Sequence, residues 1–366
     1  MSEKLNLLVE SSPQIHNSDS TASIMWTVTI CLLPAGLWGI WIFGSRALFV
    51  LVASIAASVL SEALMNYMVK RRTLMDGSAF LTGLLIGYNM PAAVPLYVPV
   101  VASIFAIVVV KWMFGGLGGN FMNPALAGRV FVFFSWTSQM TTWTMPRMLK
   151  AADTVSGATP LGFLKTGLLD FNGSVSGPAQ FLTQQGYPQT VTDGKVMEWI
   201  NSTFHTHLSG GYYDLFMGNI PGSIGEVSAF LLLLGTIYLF YKKIITWEVP
   251  VSYLASFGLL VWIFGGRRYG LSFFSGDILF NIFSGGIILG AFYMATDMVT
   301  SPLTRKGMII FGVGVGFLTF LIRFYGSFPE GVSLAIILMN ISVPLIDKYS
   351  KTKRFGIIEE KGKNNE

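Results

Sequence analysis

Residues 24–44 read IMWTVTICLLPAGLWGIWIFG, a run of 21 residues that contains no charged side chain. A helix that crosses the hydrocarbon core of a bilayer needs about 20 predominantly apolar residues, so this run predicts a transmembrane helix. The rest of the chain has the same character, since 52% of its 366 residues are hydrophobic and 12% are charged. A soluble domain carries about 25% charged residues. We therefore predict an all-α, polytopic membrane protein.

Apolar runs of this kind predict ten crossings. They lie at about 24–44, 47–69, 78–90, 94–114, 121–136, 224–242, 249–265, 278–297, 307–324 and 331–347. The predicted regions are an N-terminal segment (1–23), a first membrane repeat (24–136), a long polar loop (137–223), a second membrane repeat (224–347) and a basic tail (348–366).

The basic residues predict how the chain is oriented. They gather beside the apolar runs, as is typical of cytoplasmic loops, at Lys70-Arg71-Arg72, Lys242-Lys243, Arg305-Lys306 and in the tail from Lys348 to Lys363. With both termini in the cytoplasm these clusters face inward and the loop 137–223 is extracytoplasmic, while Arg267-Arg268 is an exception. Topology thus accounts for the net charge of +5, and no nucleic-acid partner is predicted.

The cysteine and histidine content limits the possible redox groups. The chain has one cysteine, Cys31, inside an apolar run, and three histidines. A disulfide framework and a cysteine-ligated zinc or iron–sulfur site are therefore excluded, and haem ligation is unfavourable. Any redox chemistry here would need an organic cofactor.

The two membrane halves resemble each other. Each contains five predicted crossings, and an odd number gives the two repeats opposite orientations. The third crossing of each begins beside an acid and a glycine, at 76–77 and at 276–277, and the fifth begins at a Gly/Pro-interrupted stretch, at 119–124 and at 326–331. Inverted repeats with interrupted helices place a site at their interface, so we predict broken half-helices that point inward.

Residues 153–161 read DTVSGATPL, within the polar loop. A surface turn would account for them, because Asp, Ser, Gly and Pro are common turn residues. The order Asp-x-x-Ser-Gly-Ala-Thr, which ends at Thr159, also resembles the acceptor pattern of proteins that carry FMN esterified through its phosphate to a threonine. A flavin transferase moves FMN from FAD, so it needs a hydroxyl acceptor in a reachable loop. Gly157 and Ala158 would leave the backbone open to that enzyme.

Further motifs extend the resemblance over essentially the whole chain. They are SPQIH at 12–16, GGNFMNPA at 118–125, GAFYMATDMVT at 290–300 and the stretch from Glu330 to Asp347. Together they resemble the RnfD/NqrB family, which comprises the D subunit of the Rnf complex and the B subunit of the Na⁺-translocating NADH:quinone reductase. Length and a short N-terminus are more similar to the Rnf member, and Met298 stands where the family often has proline.

The resemblance implies covalent FMN. The phosphoester would form on Thr159, with Asp153, Ser156, Gly157 and Ala158 as the recognition context.

The resemblance also implies a second flavin, non-covalent riboflavin, in the membrane part. Asn120 and Asn123 are candidate ligands, because amide groups and exposed backbone suit the edge of an isoalloxazine ring. The alternative is a structural kink in which an Asn side chain caps a half-helix.

Acids in apolar segments are the candidates for an ion pathway. A carboxylate in the middle of the bilayer costs about 3 kcal/mol on insertion scales, so each one needs a reason. Asp76 and Asp297 occupy similar places in the two repeats, near the predicted cytoplasmic face, and Asp347 ends the last crossing. We predict that they line a path for Na⁺ or H⁺. For Asp347 the alternative is an interfacial carboxylate paired with the basic tail.

The resemblance implies a membrane component of an Rnf-type ion-translocating complex in the bacterial cytoplasmic (inner) membrane. Such a component couples electron transfer between ferredoxin and NAD to Na⁺ or H⁺ translocation, and it is not a complete enzyme by itself. Its partners would be flavoprotein and iron–sulfur subunits, a flavin transferase and membrane lipid. The alternative is a passive small-solute channel with a urea-transporter-like fold and no redox cofactor, since fold alone does not decide function. An acceptor threonine favours the first interpretation, because a channel has no use for it.

Overall fold

The computed structural model describes residues 20–71, 73–149, 156–168, 175–206 and 208–350, which are largely helical. In chain order the α-helices are α1 (Thr21–Phe43), α2 (Ser45–Val69), α3 (Ser78–Tyr88), α4 (Tyr97–Ile104), α5 (Pro124–Ser135), α6 (Thr137–Met140), α7 (Pro160–Gly167), α8 (Pro178–Gln184), α9 (Val191–Phe204), α10 (Tyr212–Met217), α11 (Ala229–Tyr241), α12 (Glu248–Phe264), α13 (Ile278–Phe283), α14 (Ile287–Leu289), α15 (Arg305–Tyr325) and α16 (Val332–Tyr349). Short 3₁₀ turns lie at Leu74–Asp76, Arg147–Leu149 and Gly265–Tyr269, and π-helical turns at Phe105–Trp112 and Gly290–Met294. Two short strands, β1 (Trp143–Thr144) and β2 (Ser156–Gly157), pair antiparallel.

Five helices are long and apolar enough to cross a membrane, namely α1, α2, α12 with its 3₁₀ extension, α15 and α16. Shorter apolar helices occupy four more of the predicted crossings: α3, α4 with its π-helical continuation, α5 and α11. The remaining predicted crossing, 278–297, is divided into α13 and α14. These elements support a multi-pass membrane protein, whereas the number of ten crossings and the inverted repeat remain predictions.

The break between α13 and α14 lies at Ser284, Gly285 and Gly286. Gly285 has a φ of 70°, in the left-handed region that favours glycine. The carbonyls of Asn281 and Ser284 accept hydrogen bonds from the Arg323 guanidinium of α15, at 2.6 and 3.2 Å. Interrupted backbone inside a membrane protein must be satisfied by protein groups, and Arg323 fulfils this requirement here.

A second interruption follows α3 and is paired with the chain that enters α11. The Ile224 amide donates to the Met90 carbonyl at 3.1 Å, and the Gly225 amide donates to the Tyr88 carbonyl at 3.0 Å. All four residues are buried. Backbone hydrogen bonds therefore join the two membrane halves in the interior, where no water is available to satisfy these groups.

Each half also contains the same long-range tyrosine contact. The Tyr88 hydroxyl of α3 donates to the Leu32 carbonyl of α1 at 2.7 Å. The Tyr293 hydroxyl, in the π-helical turn after α14, donates to the Leu232 carbonyl of α11 at 2.8 Å. In both cases the third predicted crossing of a half is joined to the first crossing of that half.

Small residues allow the long helices to approach closely. A Cβ added to Gly312 of α15 would lie 1.9 Å from Ser252 Oγ of α12, and one added to Gly316 would lie 2.0 Å from Ser256 Oγ. The four-residue spacing on both helices is the small-xxx-small pattern of membrane helix pairs. Only glycine fits at these two positions of α15.

The segment 137–223, predicted as a long polar loop, contains α6 to α10 and the strand pair. Leu161 and Leu164 of α7, Phe181 of α8 and Leu215 of α10 are buried in the same hydrophobic core as residues of α1 and α11. Each helix is short, so no long apolar run indicates it in the sequence. The segment packs on the membrane helices and thereby positions α7.

A substitution at Gly235 tests the close packing of α11 against α1. A Cβ there would lie 2.5 Å from the Cys31 carbonyl oxygen, which is backbone, and 2.4 Å from the Tyr293 hydroxyl. We expect Gly235→Ala to lower the free energy of unfolding by about 1–3 kcal/mol, the usual cost of overpacking. Gly194→Ala in α9 is the matched control, because nothing lies within 4 Å of a Cβ at that position. Thermal unfolding in detergent should show a lower midpoint for Gly235→Ala alone, and equal midpoints for both variants would contradict this packing.

Candidate functional site

Thr159 is the N-cap residue of α7. Its backbone is extended, and its Oγ accepts a hydrogen bond from the Gly162 amide at 3.0 Å. Pro160 follows at the first helical position, where its missing N–H costs nothing. The sequence Thr-Pro is thus a helix start as well as part of the predicted acceptor motif. The Thr159 side chain is buried, with 4% of the residue exposed.

A cavity of about 450 Å³ adjoins this residue, and we call it the Thr159 cavity. Sites for small molecules occupy roughly 300–1,000 Å³, so the volume is sufficient for one. Its wall combines aromatic side chains with polar ones, among them Phe133, Trp143, Phe328, Arg129, Glu330 and Ser333. Mixed apolar and polar lining is typical of cofactor sites.

The residues before Thr159 also line this cavity, and their contacts explain part of the motif. Gly157 pairs with Trp143 across the two strands, and a Cβ on Gly157 would lie 2.2 Å from Met145 Sδ. Glycine at 157 therefore has a packing reason in addition to the predicted access for a transferase. The exposed Ala158 accepts a hydrogen bond from the Tyr187 hydroxyl through its carbonyl, at 3.0 Å. Ser156 lies in β2, whereas Asp153 lies outside the described residues.

Arg129 and Glu330, which line the cavity, belong to a cluster of charged side chains in the interior of the protein. Arg129 of α5 lies 3.5 Å from Glu226 and 3.2 Å from Glu330, measured between guanidinium nitrogen and carboxylate oxygen. It also donates a hydrogen bond to the Ser333 hydroxyl. Arg129 and Glu226 are 8% and 7% exposed. We call Arg129, Glu226, Glu330 and the buried Arg323 the charge cluster.

The charge cluster lies against the break between α13 and α14. A Cβ on Gly286 would be 2.6 Å from a Glu226 carboxylate oxygen, and one on Gly285 would be 3.0 Å from a Glu330 carboxylate oxygen. The Cβ position of Gly285 is equally close to Leu161 of α7, at 3.0 Å. The helix that begins at Thr159, the carboxylates and the break are therefore in mutual contact.

Lys165 of α7 holds the rim of the cavity. Its ammonium group donates to the carbonyls of Gly326 and Phe328 at 2.5 and 2.8 Å. The Phe328 ring in turn packs edge-on against Phe133, with 5.1 Å between ring centroids. Partial burial, and then the nearby Arg268 guanidinium, lower the pKa of Lys165. The aromatic rim is thus fixed by hydrogen bonds from the same short helix that carries Thr159.

A second cavity, of about 120 Å³, lies between α3, α5 and the eighth predicted crossing. Asn120 and Asn123, the predicted riboflavin ligands, both line it. Asn123 caps α5 through its Oδ1, 3.0 Å from the Ala125 amide, and its Nδ2 donates to the Met294 carbonyl at 3.3 Å. The buried Oδ1 of Asn120 has no hydrogen-bond partner within the described part of the chain.

Of the predicted ion-pathway acids, Asp297 lines this second cavity and Asp76 contacts one of its wall residues. Asp76 accepts hydrogen bonds from the amide and the hydroxyl of Ser78, at 2.8 and 2.5 Å, and Ser78 is itself part of the wall. The Lys111 ammonium group, also in the wall, donates to the Ser78 hydroxyl at 2.8 Å.

Asp347 is not brought to either cavity. It ends α16, where its carboxylate accepts a hydrogen bond from the Leu303 amide at 3.2 Å. The alternative, in which Asp347 pairs with the basic tail, stays a prediction, because residues 351–366 lie outside the described part of the chain.

The sequence interpretation missed Arg129, Glu226 and Arg323. Each lies in an apolar segment, so the cost of burying charge was the available signal. That signal was applied to other carboxylates and not to arginines. The partners of Arg129 are 201 and 204 residues away in sequence at Glu330 and Ser333, which no local spacing reveals.

The buried pair Lys111 and Glu62 tests the electrostatics of the second cavity. Their ammonium nitrogen and carboxylate oxygen are 3.0 Å apart, and both side chains are almost fully buried. We expect Lys111→Met to destabilise the protein by about 3–5 kcal/mol, because it leaves the buried Glu62 carboxylate without its opposite charge. The double variant with Glu62→Gln should recover most of that loss, and exposed Lys242→Met is the control. A double variant no more stable than Lys111→Met in thermal unfolding would contradict the pairing.

Comparison with known proteins shows similarity over nearly the whole chain to one family of membrane-complex subunits. The family model of the NQR2, RnfD, RnfE family matches residues 8–356. The D subunit of the proton-translocating ferredoxin:NAD(+) oxidoreductase complex of Clostridium ljungdahlii is 41% identical, over 95% of this chain and 96% of that protein. The D subunit of the Na(+)-translocating ferredoxin:NAD(+) oxidoreductase complex of Acetobacterium woodii is 40% identical, over 98% of each chain. The D subunit of the ion-translocating oxidoreductase complex of Stutzerimonas stutzeri is 36% identical, over 92% of each chain.

Proposed function

The chain belongs to the NQR2, RnfD, RnfE family, and we propose that it serves as the D subunit of an ion-translocating ferredoxin:NAD(+) oxidoreductase complex. Two relatives that carry this name are similar to more than nine-tenths of the chain. In this proposal the chain lies in the bacterial inner membrane, and flavoprotein and iron–sulfur partner subunits deliver and remove electrons. Two observations favour this proposal over the passive small-solute channel. The chain belongs to a family with oxidoreductase subunits, and a channel has no use for a threonine at a cavity of cofactor size.

Thr159 carries FMN as a phosphoester in this proposal. The observation that supports it is the position of the Thr159 side chain at a cavity of about 450 Å³, whose wall also holds the buried cation Arg129. When bound, FMN supplies electron transfer. The chain's own residues anchor the phosphate at the start of α7, pack Phe133, Trp143 and Phe328 around the cavity, and limit the access of water.

Attachment of the cofactor is a group transfer that needs no other residue as nucleophile. The Thr159 oxygen forms a bond to the FMN phosphorus of FAD, the phosphoanhydride bond breaks, and AMP leaves. The hydroxyl proton passes to a base of the flavin transferase. Ala158 is exposed beside the buried Thr159, so we place the approach of the transferase on the Ala158 side.

The second cavity fits an ion better than a flavin. Its volume of about 120 Å³ is below the roughly 300–1,000 Å³ of small-molecule sites, so no electron-transfer step is assigned to riboflavin at Asn120 and Asn123. Its wall offers the Asp297 carboxylate and the Asn120 amide oxygen, which has no hydrogen-bond partner among the described residues, and oxygen ligands of this kind suit a hard cation. We therefore assign the ion pathway to this cavity, with Asp76 behind its wall.

Thr159→Val tests the cofactor assignment. The protein is produced with a flavin transferase and run on a denaturing gel under ultraviolet light. Wild type should give a fluorescent band, and Thr159→Val should give none, because no hydroxyl remains to carry the phosphoester. Mass spectrometry of the peptide that contains Thr159 should show the added mass of the FMN group.

The matched control is Thr166→Val, which changes the same kind of side chain in the same helix and cavity. It should keep the fluorescent band. A dark band in wild type, with an unmodified peptide mass in a host able to attach flavins, would refute the cofactor assignment.

The acids of the second cavity are tested in sealed vesicles that hold the whole complex. Asp297→Asn and Asp76→Asn should each slow ion-coupled electron transfer about tenfold, the effect of losing one charge-assisted contact. Asp347→Asn should have little effect, because that carboxylate lies away from the cavity. Rates with and without Na⁺ identify the ion, since relatives at 41% and 40% identity are named for H⁺ and Na⁺. Equal losses in all three variants would contradict the placement of the pathway.

A further inference from the structure

Arg129 has hydrogen-bonding capacity that its protein partners do not use. A guanidinium group has five N–H donors in a planar fork. Within the described residues, Arg129 donates hydrogen bonds to Ser333 and Glu330, and its contact with Glu226 is a longer ion pair of 3.5 Å. Each carboxylate is met by a single nitrogen, so neither pair has the two-pronged geometry that makes Arg–carboxylate contacts strong.

The same guanidinium belongs to the wall of the Thr159 cavity. Arg129 is only 8% exposed, yet it lines the cavity together with Thr159. An anion in this cavity would also meet Glu330, which lines it and carries negative charge. The other arginine of the charge cluster, Arg323, donates to two backbone carbonyls of the break. Arg129 is therefore the cation of the cluster that is available to balance an anion at Thr159.

We propose that Arg129 is the positioning residue for the phosphate of the flavin in the Thr159 cavity, and that Glu330 competes with this phosphate for the guanidinium. This inference rests on the proposed function. Arginine binds a phosphate group through two parallel N–H bonds, and such bonds are stronger than the single contacts to Glu330 and Glu226. Ser333 fixes the guanidinium from the opposite helix, α16.

A purely structural role for Arg129 makes a different prediction. If Arg129 only neutralises Glu226 and Glu330, removing Arg129 or Glu330 destabilises the protein and leaves the recognition of phosphate unchanged. If Arg129 binds the phosphate, its removal weakens the binding of a phosphate-bearing flavin, and removal of Glu330 strengthens it. The two substitutions then act in opposite directions on the same quantity.

The experiment uses the full chain produced without a flavin transferase, in lipid nanodiscs. Dissociation constants are measured by equilibrium dialysis for FMN and for riboflavin, which lacks the phosphate. We expect wild type to prefer FMN by about 10- to 100-fold, as one charge-assisted, two-pronged contact provides. Arg129→Gln should abolish this preference, and Glu330→Gln should increase it. Riboflavin binding should stay within about threefold of wild type in both variants.

Arg129→Lys guards against a variant that fails to fold. It keeps a charge beside both carboxylates but replaces the fork by a point charge, so the FMN preference should fall about fivefold while the unfolding midpoint is retained. A preference that survives in Arg129→Gln overturns the proposal, as does a preference in Arg129→Lys that equals that of wild type, or a wild type without preference. The fluorescence of the denatured wild-type band then shows separately whether Thr159 carries flavin, so failure of this inference is distinguishable from failure of the proposed function.

Discussion

The interrupted helix between α13 and α14 is the constraint on which the candidate site depends. Backbone groups freed inside a membrane protein have no water to bond, so protein groups must satisfy them. Arg323 does this for two carbonyls, but a buried guanidinium needs compensating negative charge nearby. The carboxylates of the charge cluster supply it and lie against Gly285 and Gly286, where any larger residue would displace them. The helix that begins at Thr159 then packs on the same break through Leu161.

Two elements connect the cavities. Helix α5 begins at the second cavity, where Asn123 caps it, and reaches the Thr159 cavity at Arg129. Six residues at 1.5 Å each separate these positions by about 9 Å. The eighth predicted crossing makes the second connection, because Gly285 lies beside Glu330 and Asp297 lines the other cavity. Its π-helical turn lies between these residues, and such turns occur frequently at functional sites.

Sequence patterns predicted the parts of this arrangement that are local. Uninterrupted apolar runs placed α1, α2, α15 and α16 to within a few residues, because length and hydrophobicity alone define a crossing. The acceptor motif pointed to Thr159 because its residues are adjacent in the chain. The charge cluster was missed, since Arg129 meets its partners only after helices far apart in sequence pack together. Four of the helices of 137–223 were missed because they are too short to show a period, and α9 was missed because it buries only Asp193 and Met197 and so has no apolar face.

Magnitudes indicate how an anion at Thr159 would act on the proposed ion pathway. Two unit charges 4 Å apart interact by about 4 kcal/mol at an effective dielectric constant of 20, and by about 2 kcal/mol at 9 Å. The axial separation of about 9 Å between Asn123 and Arg129 thus lowers the interaction of a charge at one position with a charge at the other to about half of its value at 4 Å. An anion at Thr159 would act most strongly on Arg129, which lines the same cavity. Arg129 in turn pairs with Glu226 and Glu330, the carboxylates that lie beside Gly286 and Gly285. In the proposed function, an anion at Thr159 would therefore act on the ion pathway chiefly through Arg129, because its pairing either with those carboxylates or with the anion sets the charge beside the broken helix.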